Sequence, residues 1–453
     1  MARSAANVKP GLPARQCAAR LLSAIVDART PMDALTDDQH GHPAYLALDE
    51  RDRSLVRAIL MAVLRYRQDL EVILDSLLER PLPQGANSLR ATMHVAMAQI
   101  LFLDVPAHSA VDLAVESAAA DPRNKRFSAL VNAITRRVSG SSDVFRARIA
   151  GEPTHGPDWF QGRLADVYGA KRAAAIATMH RHPAAIDITL KDRDDAATAD
   201  ALLATGDGLR LANGTIRLKP SLPVTDLPSF ADGLWWVQDA AAAIPAMLFG
   251  DLSGQHIADM CAAPGGKTAQ FAAGGARVTA LEKSGNRARR LRANMERLGF
   301  THAVDVVVAD LFGHDATALY DGVLLDAPCS STGTVRRHPD VPWTKTPADI
   351  AKLADLQARM LDAAARHVKP GGVLVFSNCS LDPDEGEAVA AAFSESHADS
   401  FEPVDLSGCH VWLDPFLTNQ GRHVRTTPAA WPHDEKSFAG MDGFFAACFL
   451  RLG

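Results

Sequence analysis

The sequence predicts a multidomain fold: an all-α bundle over residues 1–140, a linker and small α/β segment over 141–232, and an α/β domain with a parallel sheet over 233–453. Three observations predict it. From Ala14 to Val138 apolar residues recur at helical spacing. Near residues 139–157, SGSSDVFRARIAGEPTHGPDWF is rich in Gly, Ser and Pro, as a domain boundary would be. Beyond His256, short apolar runs alternate with helical stretches, and repeated β-α units of that kind bury a parallel sheet between helices.

In the first segment Leu55, Ile59 and Val63 fall at four-residue steps, as do Leu70, Leu74 and Leu78, and Ala110 to Ala120 is a strong helix former with an apolar stripe. Breaks are expected at Pro81 to Gly85, at Val105-Pro106 and at Asp121-Pro122. After the boundary, Gly162 to His180 reads as helix, and IDITLKD, GLRLANGTIRLKP and GLWWVQD alternate as short strands do. HIADMC, RVTALE, DVVVAD, DGVLLDA and GVLVFSN are the strands of the last domain, and GFFAACFL adds one more.

No apolar run is long enough to span a bilayer and the start is polar, so no membrane is expected and the expected compartment is the cytoplasm. The six cysteines show neither CxxC spacing nor histidine pairing, which argues against a zinc site and, in that compartment, against disulfides. A net charge of −6 argues mildly against nucleic-acid binding. Local clusters offset it: residues 1–140 carry 17 Lys and Arg against 15 Asp and Glu. Arg123, Lys125, Arg126, Arg136 and Arg137 lie close together, as do Arg287, Arg289, Arg290 and Arg292, and Arg336 with Arg337. Each cluster reads equally well as a solvated helix face.

ADMCAAPGGKT ends in Gly-Lys-Thr but is no P-loop, because Cys261 stands where GxxxxGK[ST] needs its first glycine. What remains is a strand ending in a small-residue turn, where missing side chains let the backbone approach a ligand. Glu282 ends the next strand, where an acid can accept hydrogen bonds from both hydroxyls of a ribose, and Asp310 ends the third. Two further strands run into cysteines: Cys329 in VLLDAPCSSTG and Cys379 in VLVFSNCSLDPDEGE. A pyrimidine C5 is a poor nucleophile until something adds covalently at C6, and a thiolate suits that addition. A second thiol can then help release the product.

The order glycine-rich loop, PC, then a second cysteine after the next strand resembles the RsmB/NOP family of RNA cytosine-C5 methyltransferases, in particular its bacterial small-subunit ribosomal RNA branch. RSLVRAILMAVLRYR, SLRATMHVAMAQILFL and FSALVNAITRRV, with Asn132, resemble the RNA-binding domain of the antitermination factor NusB. The resemblance implies a NusB-like bundle, a small α/β connector and a Rossmann-like S-adenosylmethionine-dependent methyltransferase domain. It implies S-adenosylmethionine held by Cys261, Ala262, Ala263, Pro264, Gly265, Gly266, Lys267, Glu282, Arg287, Asp310 and Asp326, with Asp310 reading the adenine amino group. Asn294, Arg297 and Gly299 in RLRANMERLG complete that match, as do Arg336 to Asp340 and the GMDGFF segment. It further implies that Cys379 attacks C6, that Cys329 assists breakdown of the adduct, and that Asp326 hydrogen-bonds the cytosine's N3/N4 edge. The partner it implies is ribosomal RNA, with a small-subunit precursor as a further candidate, and no DNA.

The chain departs from the family at two places. Thr189 and Lys191 stand in the strand where relatives often carry an Arg and an Asn for RNA, and Asn378 precedes Cys379 where Thr is usual. Gln238 matches the pattern; Trp235 and Trp236 suit either a core or a base-stacking platform. Two other readings stay open: the same chemistry on transfer RNA or another RNA, and a non-catalytic RNA-binding ribosome-assembly factor.

Overall fold

The computed structural model describes residues 9–151, 156–205, 208–220, 223–314 and 319–453. Residues 1–8, on which part of the reading of the polar start rests, and 152–155 in the expected boundary lie outside them. The chain forms two compact units: Met1–Arg181 with His338–Thr346, and His182–Arg337 with Pro347–Gly453.

In the first unit, helices Leu12–Ala28, Glu50–Arg65, Arg67–Leu77, Ala107–Ala120 and Ser128–Gly140 pack around Asn87–Phe102. That central helix buries every residue from Ala91 to Leu101, which a helix surrounded by others must do. Each expected break falls between two of these helices. The stretch read as an irregular boundary instead contains a helix, Ser142–Gly151. Its Gly and Ser sit at the ends; the interior DVFRARIA holds no breaker, and Ile149 is buried in the bundle core. Helix Asp158–His180 follows, with Gly169 at φ 71° where its axis kinks.

The second unit opens with a small antiparallel sheet of β1 (Ile186–Leu190), β2 (Leu209–Arg210), β3 (Ile216–Leu218) and β4 (Trp235–Val237), in the order β2-β3-β1-β4. Trp235 and Trp236 are buried, so both are core residues and not platforms. Lys191 donates to the Leu298 carbonyl at 2.6 Å, and Thr189 to Gln238 at 3.1 Å, so the departures from the family pattern in this strand serve packing. Arg217 grips Asp187 with two bonds of 2.7 Å and reaches the Phe438 and Gly440 carbonyls. Both charged groups are at most 1% exposed. Asp187→Ala would strand a buried guanidinium and is expected to cost about 3–5 kcal/mol in urea unfolding of the second unit. An unchanged midpoint would show that the pair adds nothing.

The main sheet holds β5 (His256–Met260), β6 (Arg277–Leu281), β7 (Val304–Val307), β8 (Tyr320–Asp326), β9 (Val368–Asn378), β10 (Phe401–Pro403), β11 (Leu417–Thr418), β12 (His423–Arg425) and β13 (Phe445–Arg451). Its order is β11-β12-β13-β9-β8-β5-β6-β7, with β10 on β13. Strands β5 to β9 pair in parallel; β13 pairs β9 antiparallel. From β5 the chain winds outward to β6 and β7, then returns to the other side of β5 to lay down β8 and β9. This reversal opens a crevice at the carboxyl ends of β5, β6 and β8, the ligand position in open α/β sheets. No helix among the described residues is long and apolar enough to cross a membrane.

Candidate active site

The β5 turn reaches the crevice through constrained backbone. Cys261 has φ 68°, Ala262 N–H donates to Leu281 O at 3.0 Å, and Ala263-Pro264 is cis. Gly265, at φ 107°, caps helix Gly266–Ala273, and a Cβ there would lie 2.5 Å from Leu291 Cδ1. Glycine alone fits both constraints. Asn294 donates to Pro264 O at 2.8 Å and Arg287 to Ala263 O at 2.6 Å, so helix Gly285–Arg297 pins the turn from outside. Arg297 is structural, bonding the carbonyls of Phe230 and Trp235.

Beneath the turn Asp259 accepts the Thr268 hydroxyl at 2.5 Å; burial pushes its carboxyl up to about 7, against that hydrogen bond. Burial, reinforced by the charges of Asp326, Glu282 and Asp259, pushes the Cys261 thiol up to about 12. Cys261 therefore stays a protonated turn residue. Glu282, 3% exposed, accepts Ser284 N–H at 2.9 Å through Oε1. Its Oε2 makes no hydrogen bond among the described residues, although the Arg287 guanidinium lies 3.2 Å away. A buried acceptor without a hydrogen-bond donor is costly, so this oxygen keeps capacity for one more donor. Asp310 pairs with Lys283 at 2.7 Å and accepts Phe312 N–H. Val308 and Phe312 beside it expose 47% and 50%, a pair of apolar surfaces that sequence reasoning missed. Their only signal was two large apolar residues just past a strand.

Strands β8 and β9 end side by side, with Asp326 opposite Ser377, and so deliver both cysteines to one place. Cys329 Sγ lies 3.4 Å from Cys379 Sγ. Gly333 N–H donates to Cys379 O and Gly443 N–H to Gly333 O, both at 2.9 Å, and a Cβ on Gly333 would collide with the Gly443 backbone. The GMDGFF segment thus closes over the cysteine loops. Asp326 accepts Lys267 Nζ at 2.8 Å and Ser377 Oγ at 2.9 Å. Lys267, expected at the cofactor, thus points at Asp326, with the Phe444 ring 4.9 Å below its ammonium. The Cys329 thiol is held well above its usual range, first by its hydrogen bond to Cys379, then by burial and the charges of Cys379 and Glu385.

Asn378, the unusual neighbour of Cys379, accepts Ser380 N–H at 3.0 Å and donates to Glu385 O at 2.7 Å, so its side chain braces the loop. Glu385 lies fully buried under both cysteines. Nothing in DPDEGE distinguishes it from Asp382, Asp384 and Glu387, so no role for it could be read from the sequence. Arg336 is buried too and bonds the carbonyls of His182 and Pro183, whereas Arg337, its side chain 26% exposed, pairs with Asp239 and Asp442.

Residues 246–450 match the model of the family described as 16S rRNA methyltransferase RsmB/F, and residues 12–140 match the NusB family. A curated ribosomal RNA small subunit methyltransferase B from Sodalis glossinidius is 35% identical over 85% of this chain and 90% of its own length. The chain belongs to the RsmB/F family. Its counterpart from Xanthomonas campestris is 34% identical over 99% of both chains. Among solved structures, NSun6 from Pyrococcus horikoshii, with SFG, superposes with a TM-score of 0.55 over 66% of this chain and 98% of its own, at 19% identity. That likeness shows the fold. The RsmB/F assignment makes the second unit a Rossmann-like methyltransferase domain acting on small-subunit ribosomal RNA, and the amino-terminal bundle a NusB domain.

Proposed function

We propose that this RsmB/F protein methylates C5 of a cytosine in small-subunit ribosomal RNA through a covalent adduct of Cys379 with C6, using S-adenosylmethionine. The observation that carries the reading is the 3.4 Å pair of thiols just past the ends of β8 and β9, with the Cys329 thiol held above its usual range. Cys379 attacks C6 as the thiolate, and electron density moves through the ring toward C5 and N3. Asp326, held by Lys267 and Ser377, hydrogen-bonds the N3/N4 edge, and the Lys267 ammonium paired with it offsets the charge that develops there. Bound S-adenosylmethionine supplies the methyl group that C5 accepts. A base then removes the C5 proton, a step assigned to Cys329 acting as a thiolate, and the electron pair of that C–H bond expels Cys379 as a thiolate and restores the aromatic ring. The target base must leave its stack, at a cost of a few kcal/mol, so a loop or partly unfolded segment, such as that in a small-subunit precursor, suits the site.

The residues fit the cofactor. Glu282 Oε2, which has no hydrogen bond among the described residues, takes a ribose hydroxyl, the Cys261 to Gly266 turn admits the methionine portion, and Val308 and Phe312 flank Asp310 where an adenine would cover them. Glu282→Ala removes charge-assisted hydrogen bonds worth about 1.5–3 kcal/mol, so calorimetry should show S-adenosylmethionine affinity reduced roughly tenfold to a hundredfold. Unchanged affinity would remove Glu282 from the pocket. RNA affinity is assigned to the NusB domain, where a cavity of about 790 Å³ is lined by Arg20, Asn87, Arg123, Asn124, Arg126 and Phe127. Such work belongs in the cytoplasm, where ribosomes are assembled. The test of the whole reading is methylation of small-subunit RNA by the purified protein, followed by identification of the modified nucleoside.

A further inference from the structure

We propose that Glu385 is a positioning residue whose carboxylate ties the Cys329 loop to the Cys379 loop and so sets the distance between the two thiols. The inference rests on the two-thiol reading above and names a group that reading does not use. Oε1 accepts Ser330 N–H at 2.8 Å and Gln357 Nε2 at 3.1 Å. Oε2 accepts the Ser330 hydroxyl and, at 2.6 Å, the Ser380 hydroxyl. Ser330 follows Cys329 and Ser380 follows Cys379, so one carboxylate grips the residue after each thiol. The Glu385 backbone carbonyl takes Asn378 Nδ2, the residue before Cys379. Thr332 adds a cross-brace, accepting Leu381 N–H at 2.9 Å with its hydroxyl 3.1 Å from that of Ser380.

The contrast in burial supports the assignment. Ser330, Asn378, Ser380 and Glu385 are all fully buried, whereas both cysteines are partly exposed. The clamp therefore lies on the protein side of the thiols and leaves their sulfur atoms facing the crevice. Burial raises the Glu385 pKa and the serine hydroxyls lower it, the balance expected of a buried carboxylate retained by dedicated donors. Four donors on two oxygens leave the carboxylate fully satisfied, and each loop loses its anchor when the group is removed. A shift of about 1 Å at a reacting atom can cost about a hundredfold in rate, so a clamp of this kind acts without touching substrate.

The test reads the thiol spacing without RNA. Diamide takes two electrons and two protons from a pair of close thiols, giving a disulfide and a hydrazine. In the wild-type protein it should join Cys329 to Cys379, as seen by peptide mass mapping. Glu385→Ala should slow that closure at least about tenfold and single-turnover methylation by a similar factor, with S-adenosylmethionine affinity within about twofold of wild type. Glu385→Gln keeps an acceptor for Ser330 N–H and a polar group against the hydroxyls, and should restore most of both rates. If Glu385→Ala does not fold, Glu385→Asp, one methylene too short to span both loops, should show the same slowing. Disulfide closure at the wild-type rate in the folded Ala or Asp variant overturns the proposal. So does slowing accompanied by an equal loss of cofactor affinity, which would mark Glu385 as a general scaffold residue. Slow closure in the variants of a protein that methylates no RNA would uphold the clamp and defeat the proposed function instead.

Discussion

Cys379→Ala is expected to lose both methylation and covalent attachment to RNA, whereas Cys329→Ala should still attack and should accumulate a protein–RNA adduct. The expectation follows from the asymmetry of the pair. The hydrogen bond to Cys379, burial and the neighbouring charges hold the Cys329 thiol above its usual range, which disfavours it as the attacking thiolate. Only 3.4 Å separates the sulfur atoms, close enough for both to serve one bound base. A denaturing gel after incubation with substrate RNA and S-adenosylmethionine reads the outcome. An adduct from Cys379→Ala but none from Cys329→Ala would reverse the roles. Methylation intact in both variants would end the thiol mechanism.

Asp326→Asn should lower kcat by about 10²–10³, with little change in cofactor affinity, because the Asp326–Lys267 pair meets the base edge where charge develops only after attack at C6. Lys267 and Ser377 fix both oxygens of Asp326 before substrate arrives, so no reorganisation is needed at the moment of reaction. Single-turnover methylation measures the effect. A fall confined to KM would instead mean that Asp326 contributes ground-state binding alone.

Much of the site was legible because parallel strands deliver their carboxyl ends to one edge. Once β5, β6, β8 and β9 were read as strands, Cys261, Glu282, Asp326 and Cys379 had to converge near the crevice. Side-chain partners were not legible in the same way. Arg336 and Arg337 look like a surface cluster, yet depend on the Asp239 and Asp442 carboxylates and the His182 and Pro183 carbonyls, all distant in sequence. Lys267 belongs by position to the cofactor turn but pairs with Asp326, an interaction set by the β5–β8 pairing and not by its own motif. Helix Ser142–Gly151 was hidden because its Gly and Ser residues, read as a loop signal, mark only its ends. Glu385 was hidden for a different reason: its four donors come from three separate segments, and one acid among several carries no periodic signal.

The central claim, methylation at cytosine C5, is tested most directly by mass spectrometry of nucleosides from small-subunit ribosomal RNA treated with the purified protein and S-adenosylmethionine. The account predicts 5-methylcytidine with wild-type protein and none with Cys379→Ala. A methyl group on a ribose hydroxyl, on N4 of cytosine or on another base would contradict it, as would 5-methylcytidine formed equally well without Cys379.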